Sequence, residues 1–87
     1  MIVERFKNQD PVPVYRRFRG RGRLVPEGLR YLSSWVDEEL TTCFQLMETV
    51  DRKLLEDWIS NWSDIVDFEV YPVISSEEAA ERVSAEL

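Results

Sequence analysis

The sequence has no histidine and a single cysteine among its 87 residues. Without imidazole the chain lacks the commonest metal ligand, the usual general base and the proximal ligand of haem. Histidine-based triads and ordinary zinc sites are therefore excluded. Carboxylates could hold Mg²⁺ or Ca²⁺, but no EF-hand spacing is present, and neither a metal nor a cofactor is expected. The one thiol, Cys43, has no partner for an internal disulfide, which fits a reducing cytoplasm. No apolar run approaches the roughly 20 residues of a membrane span. No charged-then-apolar leader opens the chain, so no signal peptide is expected.

What is present suits one domain spanning 1–87. The hydrophobic fraction is 44%, with three Trp, three Tyr and four Phe, which argues for a packed core rather than disorder. A chain this short buries only roughly 60% of its unfolded surface, so a partner subunit would help it. The net charge of −6 is segregated: residues 1–30 hold eight basic and three acidic side chains, and residues 31–87 hold three basic and fourteen acidic. Such a chain is repelled by nucleic acid and anionic membranes unless its basic part forms a separate face.

The basic part is densest in "YRRFRGRGR", residues 15–23, with five arginines. Periodicity explains most of that density. A helix is expected to start near Pro11–Pro13, where proline is tolerated. At ~100° per residue, Val14, Tyr15, Phe18, Gly22 and Val25 fall within one arc of about 100°. Arg16, Arg19 and Arg23 fall opposite, and Arg17 and Arg21 flank the stripe. The arginines are then the wet side of a core-facing helix, with a phosphate-binding or acidic-partner surface as the alternative. Gly22, inside the stripe, is expected to let the helix approach a sheet closely. Gly20 weakens the helix by roughly 1 kcal/mol, so the helix ends early.

Around it, "MIVERF" reads as a strand and "VPEG", 25–28, as a turn. "LRYLSSWV", 29–36, and "TTCFQLMETV", 41–50, form a hairpin across the glycine-free turn "DEEL". Asp51 is placed to cap a second helix bearing Leu54, Leu55, Trp58, Ile59 and Trp62. "IVDFEVYPVI", 65–74, is a fourth strand, and Pro72 suits an edge position. Ser75 with Glu78 forms a capping box for a short last helix, with Ala79, Ala80, Val83 and Leu87 on one side. The order βαββαβ predicts an α+β, ferredoxin-like sandwich: a four-stranded antiparallel sheet, β1 and β3 central, two helices on one face and a short C-terminal helix.

Strand alternation sorts the sheet into two faces. Val3, Leu32, Val36, Phe44, Leu46, Phe68 and Val70 form the more apolar set and are assigned to the helices. Glu4, Tyr31, Ser33, Trp35, Cys43, Gln45, Met47, Glu69 and Tyr71 form the other. That second set mixes large aromatics with carboxylates and an amide. A sheet face so aromatic marks an interface, and a second copy facing it would bury the aromatics and leave the polar groups around a shared cavity. The candidate dimer or cavity residues are therefore Glu4, Tyr31, Trp35, Cys43, Gln45, Met47, Glu69 and Tyr71.

The blocks "MIVERF", "EGLRYLSSWVDEE", "CFQLMET", "LLEDWISNW" and "DFEVYPVISSEEA" resemble a family of small uncharacterised bacterial proteins classed only as a domain of unknown function. The resemblance covers nearly the whole chain and places Trp35, Cys43, Phe44, Gln45, Glu48, Phe68 and Glu69 at matched positions. It implies a dimeric α+β-barrel arrangement and no particular reaction.

Two functions follow as expectations. One is a homodimeric binding or regulatory module whose cavity takes a small apolar or aromatic molecule oriented by Gln45, Glu69 and Tyr31. The other, by analogy with dimeric barrels, is a cofactor-free enzyme of oxygenase or isomerase type acting on an aromatic or polyketide-like substrate. There a buried Glu4 or Glu69 would be the general base. Cys43 reads as packing rather than a nucleophile, because no histidine can activate it. Nucleic-acid binding is disfavoured: the third strand carries one aromatic and neither a basic residue nor a glycine, unlike an RNA-recognition motif. Trp58 and Trp62 read as core at helical spacing, and Asp64, Asp67 and Glu69 as a solvated strand start rather than a metal site.

Overall fold

Local signals in the sequence set most element boundaries in the structure, a computed structural model describing all 87 residues. The β-branched and aromatic N-terminus forms β1 (Ile2–Phe6), followed by one 3-10 turn at Lys7–Gln9. Helix α1 (Val12–Arg21) starts on Pro11, and the Asp10 carboxylate accepts from the Val12 N–H at 3.0 Å. Strands β2 (Arg30–Val36) and β3 (Thr42–Glu48) form the hairpin. Its turn closes without glycine because Leu40 adopts φ 59° and the Asp37 carboxylate accepts from the N–H groups of Thr41 and Thr42 at 2.8 and 3.0 Å. Asp51 caps α2 (Arg52–Ser60), accepting from the Lys53 N–H at 2.9 Å. Strand β4 (Val66–Val70) and helix α3 (Ser76–Val83) complete the chain.

The sheet order is β2-β3-β1-β4, every pairing antiparallel, with β1 and β3 central and β4 at an edge. This is the ferredoxin-like α+β layout, with α1 and α2 on one face.

Three local expectations need correction. Gly22 does not allow close packing, since a Cβ there would meet nothing within 4 Å; its φ of 73° is what requires glycine. That conformation ends α1, so Val25 leaves the helical stripe and Arg23 leaves the solvent face opposite it. Strand β4 stops at Val70, four residues short of the expected end. The last bond runs from the Tyr71 N–H to the Met1 carbonyl at 2.8 Å, so Pro72 lies beyond the ladder instead of within an edge strand. Only half of the capping box forms. Ser75 Oγ accepts from the Glu78 N–H at 3.0 Å, but the Glu78 carboxylate turns to Arg82, also at 3.0 Å.

The assignment of sheet faces also changes. The core cluster contains Ile2, Phe6, Leu29, Leu55, Trp58, Trp62 and Val66, with Val36, Cys43, Met47, Phe68 and Val70 packed against it. Even-numbered residues of β1 therefore face the helices, and Glu4 goes with them. Glu4 pairs with Cys43 and Ile2 with Gln45, so Cys43 and Gln45 share that side. Val3, Phe44 and Leu46 face away. A bulge between Tyr31 and Ser33 takes up Leu32 and reverses parity, which puts Tyr31, Ser34 and Val36 on the helix side. Of the set assigned to the helices, Val36, Phe68 and Val70 are there and Val3, Phe44 and Leu46 are not.

Between Gly22 and Gly28 the backbone is unusual. Leu24 adopts φ 60° and Gly28 φ 95°. The φ of Gly28 is what requires glycine; a Cβ there would also sit 2.7 Å from Leu54 Cδ1, which would have to shift. Helix α2 and the turn after it hold this loop: the indole N–H groups of Trp58 and Trp62 both donate to the Arg23 carbonyl at 3.0 Å, and the Asn61 amide donates to the Leu24 carbonyl at 3.3 Å.

Past β4 the chain leaves the body. Every residue from 71 to 87 except Ala79 is exposed, Leu87 by 99%. The radius of gyration is 15.1 Å, against about 12 Å for a compact chain of this length.

Candidate functional site

A cavity of about 180 Å³ lies between the helices and the sheet, under α1. Its floor is built by strand alternation: Glu4 and Phe6 from β1, Ser34 and Val36 from β2, Cys43 and Gln45 from β3. Its roof is the apolar stripe of α1, with Val14, Tyr15 and Phe18, and its far wall holds Trp58 and Trp62. The Phe6 and Tyr15 rings meet edge to face, centroids 6.2 Å apart. Arg23 lines a further side. Its guanidinium lies 5.0 Å from the Phe18 ring centroid and 3.8 Å from that of Tyr31. The Tyr31 hydroxyl in turn bonds Ser34 Oγ at 2.7 Å.

Two polar atoms in this region are buried without a hydrogen-bond partner, Glu4 Oε2 and Arg23 Nε. Glu4 is only 7% exposed. Burial pushes its carboxyl up to about 7, and the Cys43 thiol and the Arg23 guanidinium offset that only in part. At neutral pH it exists as carboxyl and carboxylate together and can take up or release a proton. Burial, with Glu4 opposite, drives the Cys43 thiol up to about 12. It stays a neutral thiol and is no nucleophile. Burial, with Cys43 and Glu4 beside it, also raises the Tyr15 hydroxyl, and Arg23 opposes that. Gln45, 3% exposed, donates from Nε2 to Met47 Sδ at 3.7 Å.

The structure thus divides the eight candidate residues. Glu4, Tyr31, Cys43, Gln45 and Met47 face the helices; all but Tyr31 and Met47 line the cavity, and Tyr31 reaches it through Ser34 and Arg23. Trp35, Glu69 and Tyr71 belong to the open side, where the exposed Glu69 carboxylate takes bonds from Tyr71 and Arg5. Those bonds, Tyr71 first, hold its carboxyl below the usual range. Of the polar groups expected between two facing sheets, Glu4 and Gln45 instead line the cavity within one chain, and Glu69 stays on the open face. No group of three or more Cys, Asp or Glu side chains is placed to hold a metal ion.

Arginine usage differs from the helical-face reading at two positions. Arg17 forms a bidentate pair with Asp64, at 2.8 and 2.6 Å, and lies 5.5 Å from the Trp62 ring centroid. Bonding to Arg17 draws the Asp64 carboxyl down to about 2. Arg23, expected on the solvent side, folds over the cavity. Arg16, Arg19 and Arg21 remain exposed. Sequence reasoning missed Arg23 as a site residue. The signal was the flanking pair Gly22 and Gly28, which takes Arg23 out of helical phase.

One profile covers the chain from end to end. Residues 1–87 match the family described as Domain of unknown function (DUF3303). The chain belongs to that family. The family's description carries no reaction, ligand or partner, so the cavity's chemistry rests on the DUF3303 residues placed here. No curated protein and no solved structure matches the chain.

Proposed function

We propose that this chain is a small-molecule-binding module, and that its ligand occupies the cavity under α1. The observation that carries the reading is the set of groups this half-open cavity brings together. Aromatic walls flank a buried carboxyl and a guanidinium, each with an unpaired polar atom. Buried polar groups ordinarily have partners, and convergent ones in an apolar pocket are what orient a ligand. At about 180 Å³ the space suits a single ring, since a cavity of roughly 150 Å³ holds benzene. Toluene is the direct probe. Titrated into the labelled chain, it is expected to shift the methyl resonances of Val14 and Val36 and to leave those of Val50 and Val73 unmoved. Val14→Phe, which puts a ring in the cavity, is expected to abolish those shifts. Toluene shifts that are absent, or unaffected by Val14→Phe, contradict the reading.

The open sheet face supports pairing with a second copy. Trp35 and Phe44 are 55% and 40% exposed there, beside Leu46. The arm at 71–87 adds Val73, Ile74, Val83 and Leu87, all exposed. So many apolar side chains on so small a chain form a patch that water disfavours. Sedimentation at micromolar concentration is expected to give a dimer. Phe44→Glu is expected to weaken it at least tenfold and to leave toluene binding intact, because Phe44 faces away from the cavity. A parent chain that stays single at high concentration rules out the pairing.

A further inference from the structure

The unpaired atoms in the cavity are of opposite kinds. Glu4 Oε2 needs a donor when ionised, and Arg23 Nε–H needs an acceptor. We propose that the cavity selects a single-ring aromatic bearing a hydroxyl group, a phenol, with the hydroxyl seated between Glu4 and Arg23. This inference rests on the cavity being a ligand site.

The choice of group follows from donor and acceptor accounting. A hydroxyl oxygen donates one hydrogen bond and accepts another, so one atom serves both partners. It does so whether Glu4 is ionised or protonated, since the hydroxyl can equally accept from a carboxyl. An ether or ketone only accepts, which leaves an ionised Oε2 unpaired in a buried site. A ligand carboxylate would place a second negative charge beside Glu4. An ammonium group would pair with Glu4 and leave the Arg23 N–H without an acceptor, next to another cation. The remainder of the ligand is set by the walls. Phe6, Tyr15, Phe18, Trp58 and Trp62 offer rings on several sides, and edge-to-face contact is already the packing mode of Phe6 on Tyr15. The volume suits one ring with a small substituent.

The experiment compares three probes of nearly one size, phenol, toluene and anisole, by calorimetric titration of the full chain at pH 7. Phenol is expected to bind at least tenfold more tightly than toluene or anisole. Two variants locate the preference. Arg23→Met keeps the stem over Phe18 and Tyr31 and removes the donor; Glu4→Leu removes the acceptor. In each folded variant the preference for phenol is expected to fall below about threefold while toluene still binds. If phenol and toluene bind the parent equally, the hydroxyl assignment is overturned and the cavity remains a ligand site. If none of the three binds, the ligand-site reading fails and takes this inference with it. A preference that persists unchanged in either folded variant overturns the placement of the hydroxyl.

Discussion

Raising the pH from 4.5 to 7.5 is expected to destabilise the folded chain by roughly 3 kcal/mol, and Glu4→Gln is expected to abolish that loss. The carboxyl of Glu4 moves from an ordinary 4.5 when unfolded to about 7 when folded, because folding removes it from water. Below 4.5 both states are protonated and the group contributes no penalty. Between 4.5 and 7 the unfolded chain ionises while the folded chain does not, so unfolding is favoured by about 1.4 kcal/mol for each pH unit. Above 7 both states are ionised and the curve levels. The other carboxylates with resolved shifts move the opposite way. Asp37, Asp64 and Glu69 are held below the usual range, so the stability they confer is present above their ordinary pKa and is lost as the pH falls toward it and below. The Met1 ammonium, lowered by burial, likewise makes stability rise with pH, so a decline between 4.5 and 7 is the signature of Glu4. Urea midpoints at fixed chain concentration measure it, since dimerisation would otherwise move them. Glu69→Gln is the control and is expected to leave the decline in place. A decline of the same size in Glu4→Gln would show that Glu4 is not the group responsible.

How much of this was legible beforehand depends on the kind of signal. Element order and strand order were, because turn residues, the Asp51 cap and helical spacing around Trp58 are local and redundant. Side-chain direction was not. In β1 the choice rested on Val3 against Glu4, and charge argued for turning Glu4 outward. Ile2 and Phe6 share the phase of Glu4, and burying two large side chains outweighs burying one carboxyl. In β3, Cys43, Gln45 and Met47 look less apolar than Phe44 and Leu46, yet register with β1 ties Cys43 to Glu4 and Gln45 to Ile2. In β2 the bulge at Leu32 carries no proline or glycine to announce it. The candidate polar residues were therefore recognised as a group, and five of the eight do share one face, but that face is the one the helices cover. Arg23 was hidden differently. Helical counting continued through Gly22, where the positive φ ends the helix and re-aims the next side chain.

Arg23 also connects stability to the site, and Trp58 is where the connection can be cut. Trp58→Ala is expected to cost about 3–5 kcal/mol, the range for emptying a buried aromatic position. The ring is 1% exposed and packs edge to face on Phe68 at 5.6 Å. Against a total of roughly 5–15 kcal/mol, and less for a chain this short, that loss leaves much of the population unfolded at 37 °C. Trp58→Phe separates packing from hydrogen bonding. It keeps a ring in the core but removes one of the two indole donors on the Arg23 carbonyl, which Trp62 continues to serve. The expected cost is about 1–3 kcal/mol, from the lost bond and the smaller ring. The loop from Gly22 to Gly28 depends on that carbonyl because Leu24 sits at φ 60°, a conformation an L-residue adopts at a cost of about 1–2 kcal/mol. With one anchor gone, the loop loosens and Arg23 no longer lines the cavity. Trp58→Phe is therefore expected to combine a moderate fall in the urea midpoint with faster amide exchange confined to residues 22–28. Trp35→Phe, on the exposed face, is expected to change neither. Unchanged exchange at 22–28 in Trp58→Phe would mean that the two indole bonds do not hold the loop, and that Arg23 is positioned by its stacking on Phe18 and Tyr31 alone.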